Sequence, residues 1–405
     1  MELISSKLKK GYKLNEVYIE KSQENQLLRH RLDVATAQLR VANEKIDKIY
    51  SSQGWIFLGF IYRIRDLLIP KNSLLRNLLK KIIVAIRFIN LQPPKRIVRK
   101  INTKSKKVVF IDHSYHTKTA STDFILDYLK KYFEIEIIFD DSWQGEKYSD
   151  LSHIDSSYHA VIFLQSLPNQ KVMKQIQNQN IIFFPMYDGY GNTPLKFWRN
   201  YPNLKIINFS KTLHKKMTAW GFDSIYIQYF PKPLPYKKNK THKVFFWQRI
   251  NKININLLEQ LLSNFKTKIH MHQLIDPEHI FVPPTKIQEK KFGITYSSWF
   301  STREEMQEKV QECDIYVAPR DYEGIGLSFL EAMAMGKAVV AVNNPTMNEY
   351  INDCETGYLY NLENPLPICF SNLEQVRRNT YLYMKRGWGK WQKEKQQIIE
   401  FIHRP

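Results

Sequence analysis

The sequence has few cysteines, no long apolar run and, over one stretch, almost no acid. Cys313, Cys354 and Cys369 form neither a disulfide framework nor the paired spacing of a metal site, which points to a reducing compartment. The N-terminus, M-E-L-I-S-S-K-L-K-K, lacks an apolar core of signal-peptide length. The longest apolar run, Trp55 to Tyr62, is far too short to span a bilayer. The expectation is a cytoplasmic chain, unless it adheres to a membrane face. Between Ser51 and Phe110 acid is nearly missing: fourteen Lys or Arg face Asp66 alone, so most of the net charge of +21 lies there. Clustered cations attract phosphates of nucleic acid or of anionic lipid. No DNA- or RNA-binding motif accompanies them, so nucleic acid is not an expected partner.

What is present fits a folded chain of two or three domains: 405 residues, 43% hydrophobic and 24% charged. Residues 1–52 read as a coiled coil. Leu14, Tyr18, Lys21, Asn25, Leu28, Leu32, Ala35, Leu39, Ala42, Ile46 and Ile49 recur by fours and threes, so residues 14–49 are expected to make a homo-oligomer. The competing reading is one amphipathic helix folded onto the body. Residues 53–104 read as basic amphipathic helices and a linker facing a membrane. Trp55, Phe57, Phe60 and Tyr62 suit the interface, and Arg63, Arg65, Lys80, Lys81 and Arg87 suit anionic headgroups. A buried helix pair is the alternative. Gln92-Pro93-Pro94 opens the linker.

From Val108 onward short apolar runs alternate with helical stretches. The runs are Val108–Ile111, Ile135–Phe139, Ala160–Leu164, Ile181–Phe184, Ile206–Phe209 and Ile225–Tyr229; Phe124–Tyr132 and Leu213–Trp220 are amphipathic. This predicts an α/β fold with a parallel, Rossmann-like sheet over 105–235. Phe230-Pro231-Lys232-Pro233-Leu234-Pro235 reads as an interdomain hinge. A second Rossmann-like domain over 236–366 follows, and helices over 367–405 carry Trp388 and Trp391 as docking surface. Two such sheets leave a cleft between the carboxyl ends of their strands.

In the second domain the stretch from Asp314 to Tyr360 runs strand, glycine turn, helix, strand, then a second loop and helix. Glu323 stands at the mouth of the turn and Glu331 eight residues on, inside the helix. Gly324 and Gly326 let the backbone turn closely, so free N–H groups can face a phosphate or sugar oxygen. On spacing alone, a surface Glu on an ordinary strand–turn–helix serves as well.

The segment E-G-I-G-L-S-F-L-E-A-M-A-M-G-K-A-V-V-A, with two α/β domains and a hinge, resembles the GT-B-fold retaining glycosyltransferases of glycosyltransferase family 4. The likeness is dense from about Lys243 to Tyr360. In the first domain it rests on architecture and N-F-S-K-T-L-H-K-K-M-T-A-W-G, and it does not cover the first hundred residues. The resemblance implies that Glu323 contacts the donor sugar near its reacting carbon and Glu331 the nucleotide ribose. It implies that Gly324, Ile325, Gly326 and Leu327 offer backbone N–H groups to sugar and diphosphate. Arg249 matches a cation facing the diphosphate, and Lys252 is a candidate for a second. Trp299 falls where the base is held, stacking on it or packing in a core. No metal and no cofactor are expected, because bound cations can stabilise the leaving diphosphate.

The sequence departs from the family pattern at several places. Gln248 replaces a glycine, and I-D-H-S-Y-H-T-K-T replaces a Gly-Gly pair, so that Ser114, Lys118 or a backbone N–H would substitute. Where an acceptor-side His is usual, Tyr187 and Asp188 stand; Asp188 either takes the acceptor proton or caps the turn at Gly189. His113 and His116 are further acceptor-side options. His270 and His272 share a strand face without a third ligand, and Asp140-Asp141 lacks metal-binding spacing.

The expected function is a metal-independent retaining glycosyltransferase, moving a sugar from a nucleotide-diphosphate donor to a lipid-linked glycan acceptor in bacterial surface polysaccharide biosynthesis. Its expected place is the cytoplasmic, inner face of the cell membrane. The rival reading is a catalytically inactive GT-B scaffold that organises partner enzymes through its coiled coil.

Overall fold

The apolar runs become two parallel sheets. The computed structural model describes residues 106–142, 148–239, 242–276, 279–300 and 302–404, all in one unit of the chain, Asn102–Pro405. The coiled-coil and membrane-facing expectations for residues 1–104 lie outside the described residues. The first sheet holds β1 (Lys106–Asp112), β2 (Phe133–Phe139), β3 (Ala160–Leu164), β4 (Ile181–Phe184), β5 (Lys205–Asn208) and β6 (Ser224–Tyr226), in the order β2-β1-β3-β4-β5-β6. The second holds β7 (Lys243–Trp247), β8 (Lys268–His272), β9 (Thr295–Ser297), β10 (Ile315–Val317), β11 (Ala338–Val342) and β12 (Tyr358–Tyr360), in the order β12-β11-β10-β7-β8-β9. Every pairing is parallel.

Burial explains the strand identities. Central β3 (A-V-I-F-L) and β11 (A-V-V-A-V) are buried throughout, as strands covered on both faces must be. Edge strand β2 is less covered: Phe133 is buried, whereas Glu134, Ile137 and Phe139 are exposed. In β1 the alternation sorts two cores: Val108 and Phe110 join a cluster that runs on into the second sheet, whereas Val109 and Ile111 join one confined to the first.

Helices of seven residues or more are α1 (Asp123–Leu129), α2 (Lys211–Ala219), α3 (Ile255–Leu261), α4 (Lys286–Phe292), α5 (Arg303–Gln311), α6 (Leu327–Ala334), α7 (Leu373–Glu394) and α8 (Gln396–His403). Several begin on side-chain caps: Ser210 accepts from Leu213 N, Asn254 from Asn256 N, and Thr285 and Gln288 form a reciprocal capping box. The proline run 230–235 carries no regular structure and links the sheets, with Leu234 N bonded to Ala334 O at 3.2 Å. One expected element is smaller than its sequence reading. The helix after β11 is a single 3-10 turn, Met347–Glu349, because Pro345 precedes it and the Asn352–Thr356 turn closes it.

The C-terminal helices find their dock on the first sheet. Trp391 of α7 is buried with its ring 5.1 Å from that of Tyr229, and the last turn of α8 meets the residue before β4, where Asn180 Nδ2 donates to Ile402 O at 2.9 Å. Among the described residues no helix is long and apolar enough to cross a membrane.

Candidate active site

Loops at the carboxyl ends of β4, β7, β8 and β10 converge on one charged cluster. Because β10, β7 and β8 are neighbours, the loops after them bring Arg320, Arg249 and Asp276 together. Asp276 accepts from Arg249 Nε at 2.8 Å and Nη2 at 2.7 Å, and from Arg320 Nε at 2.9 Å and Nη2 at 2.6 Å. Arg320 Nη1 reaches across to Asp188 Oδ2, from the loop after β4, at 3.5 Å. The two sheets therefore meet at this cluster.

Glu323 lies within it. It is buried, and its Oε1 has no hydrogen-bond partner among the described residues. Burial pushes its carboxyl up to about 7, against the pull of Arg320 and Arg249 and with the push of Asp188 and Asp276. Near neutral pH this carboxyl is thus partly protonated, able both to donate to and accept from a hydroxyl. A buried, unpartnered oxygen is costly to a fold and calls for an explanation.

The glycines beside it are required by shape. A Cβ on Gly324 would lie 2.8 Å from Met186 Cβ and 3.0 Å from Asp188 Oδ1, so only glycine lets the two domains approach here. Gly326 has φ +78° and begins α6, and a Cβ there would strike the Phe329 ring. Ile325 is buried and Leu327 opens α6, so the backbone from Gly324 to Leu327 forms the mouth of the turn.

The predicted donor residues divide between two places. Arg249, Glu323 and Gly324 belong to the charged cluster. Leu327 and Glu331, one turn apart on α6, line a cavity of about 480 Å³ together with Phe124, Tyr229, Arg303 and Trp391. Glu331 is paired there with Arg303. Lys252 stands on the rim, 67% exposed, 3.3 Å from Asp321 Oδ2. Trp299 is 55% exposed, which excludes the core alternative and leaves its ring open to a ligand.

Asp188 both binds Gly189 N, at 3.0 Å, and faces the cleft. Its side chain is 29% exposed, yet enclosure by the cleft walls holds its carboxyl above the ordinary value, with Arg320 pulling it down. Gln248, where the family pattern has glycine, is fully buried: Nε2 donates to Ile280 O at 3.2 Å and Oε1 accepts from Val282 N at 3.3 Å. It therefore anchors the segment that follows Asp276.

The remaining polar candidates serve the fold. Asp140 accepts from Ser142 N and Ser149 N, and Asp141 from Ser114 N. Lys118 is exposed on a short helix after β1. His270 bonds Thr295 and Ser297 and His272 bonds Ser297; burial pushes both imidazoles down to about 4, so they are neutral. Asp112, His113 and His116 bring one ligand atom each within 4.8 Å of one another, a set that could hold a metal ion. Asp112 Oδ1 already accepts from His113 N and pairs with His116 Nδ1 at 2.6 Å. The imidazoles lie 3.7 Å apart at 35°, so their in-plane lone pairs run alongside each other, and a cation would require them to turn.

Sequence reasoning missed Arg320, Asp276 and Glu349. Arg320 had a signal, as a cation three residues before Glu323 at a strand end. Asp276 and Glu349 had none beyond their loops. Glu349, in the 3-10 turn after β11, caps helix α2 of the first domain: its carboxylate accepts from Lys211 N at 2.7 Å, Thr212 N at 2.8 Å and Ser210 Oγ at 3.0 Å.

Comparison with known proteins bears on the fold and on the segment around Glu323. The family model described as glycosyl transferases group 1 matches residues 293–365, which include Glu323, the glycine turn and Glu331. No curated protein sequence matches the chain. A glycosyltransferase from Rickettsia africae ESF-5 is similar in structure, with TM-score 0.55 and 14% identity over 74% of this chain and 99% of that one. Anabaena Alr3699/HepE in complex with UDP aligns with TM-score 0.49 and 13% identity, over 73% of this chain and 100% of that one. Two parallel six-stranded sheets, the likeness to the Rickettsia glycosyltransferase and the group 1 segment in the second half make this chain similar to the GT-B glycosyltransferases.

Proposed function

We propose that the protein is a retaining glycosyltransferase that moves a sugar from a nucleotide-diphosphate donor to a lipid-linked glycan acceptor. The observation that carries the reading is Glu323: a buried carboxyl with an unpartnered oxygen, beside two arginines and a glycine turn, inside the segment that the group 1 model matches. In the reaction the bond from the sugar's anomeric carbon to the phosphate oxygen breaks. A bond to the acceptor oxygen forms on the same face, and the acceptor's proton passes to the leaving phosphate. Charge grows on that phosphate, and Arg249 stabilises it without a metal. Glu323 holds a sugar hydroxyl, and its raised carboxyl carries less negative charge toward the diphosphate than an ordinary glutamate. Asp188 faces the acceptor, and Glu331 the ribose once Arg303 releases it.

Gln248 in place of the family glycine would favour an inactive scaffold, but the residue has a packing role here. A panel of nucleotide sugars decides between them: the transferase is expected to bind and slowly hydrolyse one or a few. If none binds or turns over, and Glu323→Ala has no effect in cells, the protein is a scaffold.

Residues 53–104 would hold the enzyme to the anionic inner face of a cell membrane, near the acceptor's lipid, in bacterial surface polysaccharide biosynthesis, and residues 14–49 would make it an oligomer. The full chain should sediment with anionic vesicles and form particles of several chains, whereas a chain beginning at residue 105 should do neither. Equal behaviour of the two removes both assignments.

A further inference from the structure

We infer that Arg320 is a second cation for the donor's diphosphate, held in parallel with Arg249 by the carboxylate of Asp276, which is a positioning residue. The inference rests on the transferase reading. Each oxygen of Asp276 takes the Nε–Nη2 edge of one guanidinium, at 2.6 to 2.9 Å in all four contacts. Paired side-on contacts of this kind fix the plane of an arginine as a single charge cannot. Neither arginine is fully enclosed, with side chains 23% and 29% exposed.

The support beneath them is rigid. Asp276 N bonds Arg249 O at 3.0 Å, so carboxylate and first arginine are locked through the backbone as well. The Arg249 guanidinium lies 4.6 Å from the centre of the Trp247 ring, and buried Gln248 holds the following segment at Ile280 and Val282. Arg249 and Arg320 follow β7 and β10, and this pair of strands is where the second sheet's order reverses. Ligands of open α/β sheets bind at such a switch point. The weakest link in the cluster is the 3.5 Å contact of Arg320 with Asp188. A phosphate oxygen can displace it without disturbing the four short contacts to Asp276. Arg320 would then meet the donor from the side nearest Gly324, where bond cleavage places new charge.

The test is calorimetric titration of the full chain with inorganic pyrophosphate and with ADP, GDP, UDP and their parent nucleosides. Arg320→Gln should weaken diphosphate and pyrophosphate binding by about ten- to a hundredfold, the loss of charge-assisted contacts, with nucleoside binding unchanged. Asp276→Asn should weaken them by about tenfold, because the arginines keep their charge but lose their alignment. Unchanged affinity in both variants overturns the inference. Tighter binding by Asp276→Asn also overturns it, since Asp276 would then be an internal competitor. Thermal unfolding checks each variant. Should one not fold, Arg320→Lys keeps the charge and loses the fork; it must still bind pyrophosphate severalfold more weakly, and full binding overturns the assignment. A wild-type chain that binds no nucleoside diphosphate defeats the transferase reading as well, which separates the two failures.

Discussion

Glu323→Ala is expected to reduce sugar transfer by about a hundred- to a thousandfold, the usual loss when a preorganised group at the reacting centre is removed. Donor binding should change far less, because the arginines remain. Turnover and donor affinity measured on the same preparation check this, and wild-type turnover would sink the role. Glu323→Gln supplies a second readout. The carboxyl stands near 7 in the folded protein against an ordinary 4.5. A raised carboxyl favours folding fully only below its unfolded value, and that contribution is lost as pH rises toward 7. Gln cannot ionise, so the variant should gain thermal stability over wild type between pH 5 and 8. Parallel curves across that range would mean that Glu323 ionises normally. The direction matters for function: the group is costly to the fold in the form that prevails at alkaline pH, as expected where stability is given up at a binding position.

Glu349→Ala should have the next largest effect, although Glu349 makes none of the contacts of the charged cluster. Its carboxylate adds to the Ser210 cap of α2 by taking the first two amides of the helix, and the helix and the carboxylate come from different sheets. Three donors converge on it, and the helix dipole favours a negative charge there. Loss of a cap costs about 1 kcal/mol of local stability. The functional cost is larger, because the clasp sets how the sheet carrying Asp188 sits against the one carrying Glu323. A displacement of about 1 Å between reacting groups is worth up to about a hundredfold in rate. The expected result is a ten- to hundredfold fall in turnover, on that principle, with faster hydrogen exchange at the amides of Lys211 and Thr212. Exchange and turnover at wild-type values would show that the clasp is incidental.

Much of the fold was legible because burial writes itself into strand composition. Runs such as A-V-I-F-L and A-V-V-A-V have no polar residue to turn outward, and their observed ends are those of the apolar runs themselves. Glu323, Gly324, Gly326 and Arg249 were legible through a dense local pattern. Arg320 sits inside that pattern but looks like any surface cation until Asp276, 44 residues earlier, is placed beside it. Glu349 meets α2 across 138 residues of chain. Contacts of this range leave no periodic trace, so the partner surfaces of the two domains were open to reading only as a cleft. Gln248 shows the reverse: a departure from a family pattern looked like lost function, and its surroundings give it a packing role.

The return of the last helices has a bearing on how the chain is made. Lys106, which opens the first strand, meets His403 across 297 residues, and buried Ile398, Ile399, Phe401 and Ile402 of α8 belong to the same end of the molecule. During synthesis the first sheet therefore emerges long before the helix that finishes its cover. Its strands can pair early, but closure of so long a loop must wait for the second sheet. Until then the apolar surface that α8 covers is expected to stay open. Native packing of the first sheet is therefore expected late in the life of the nascent chain.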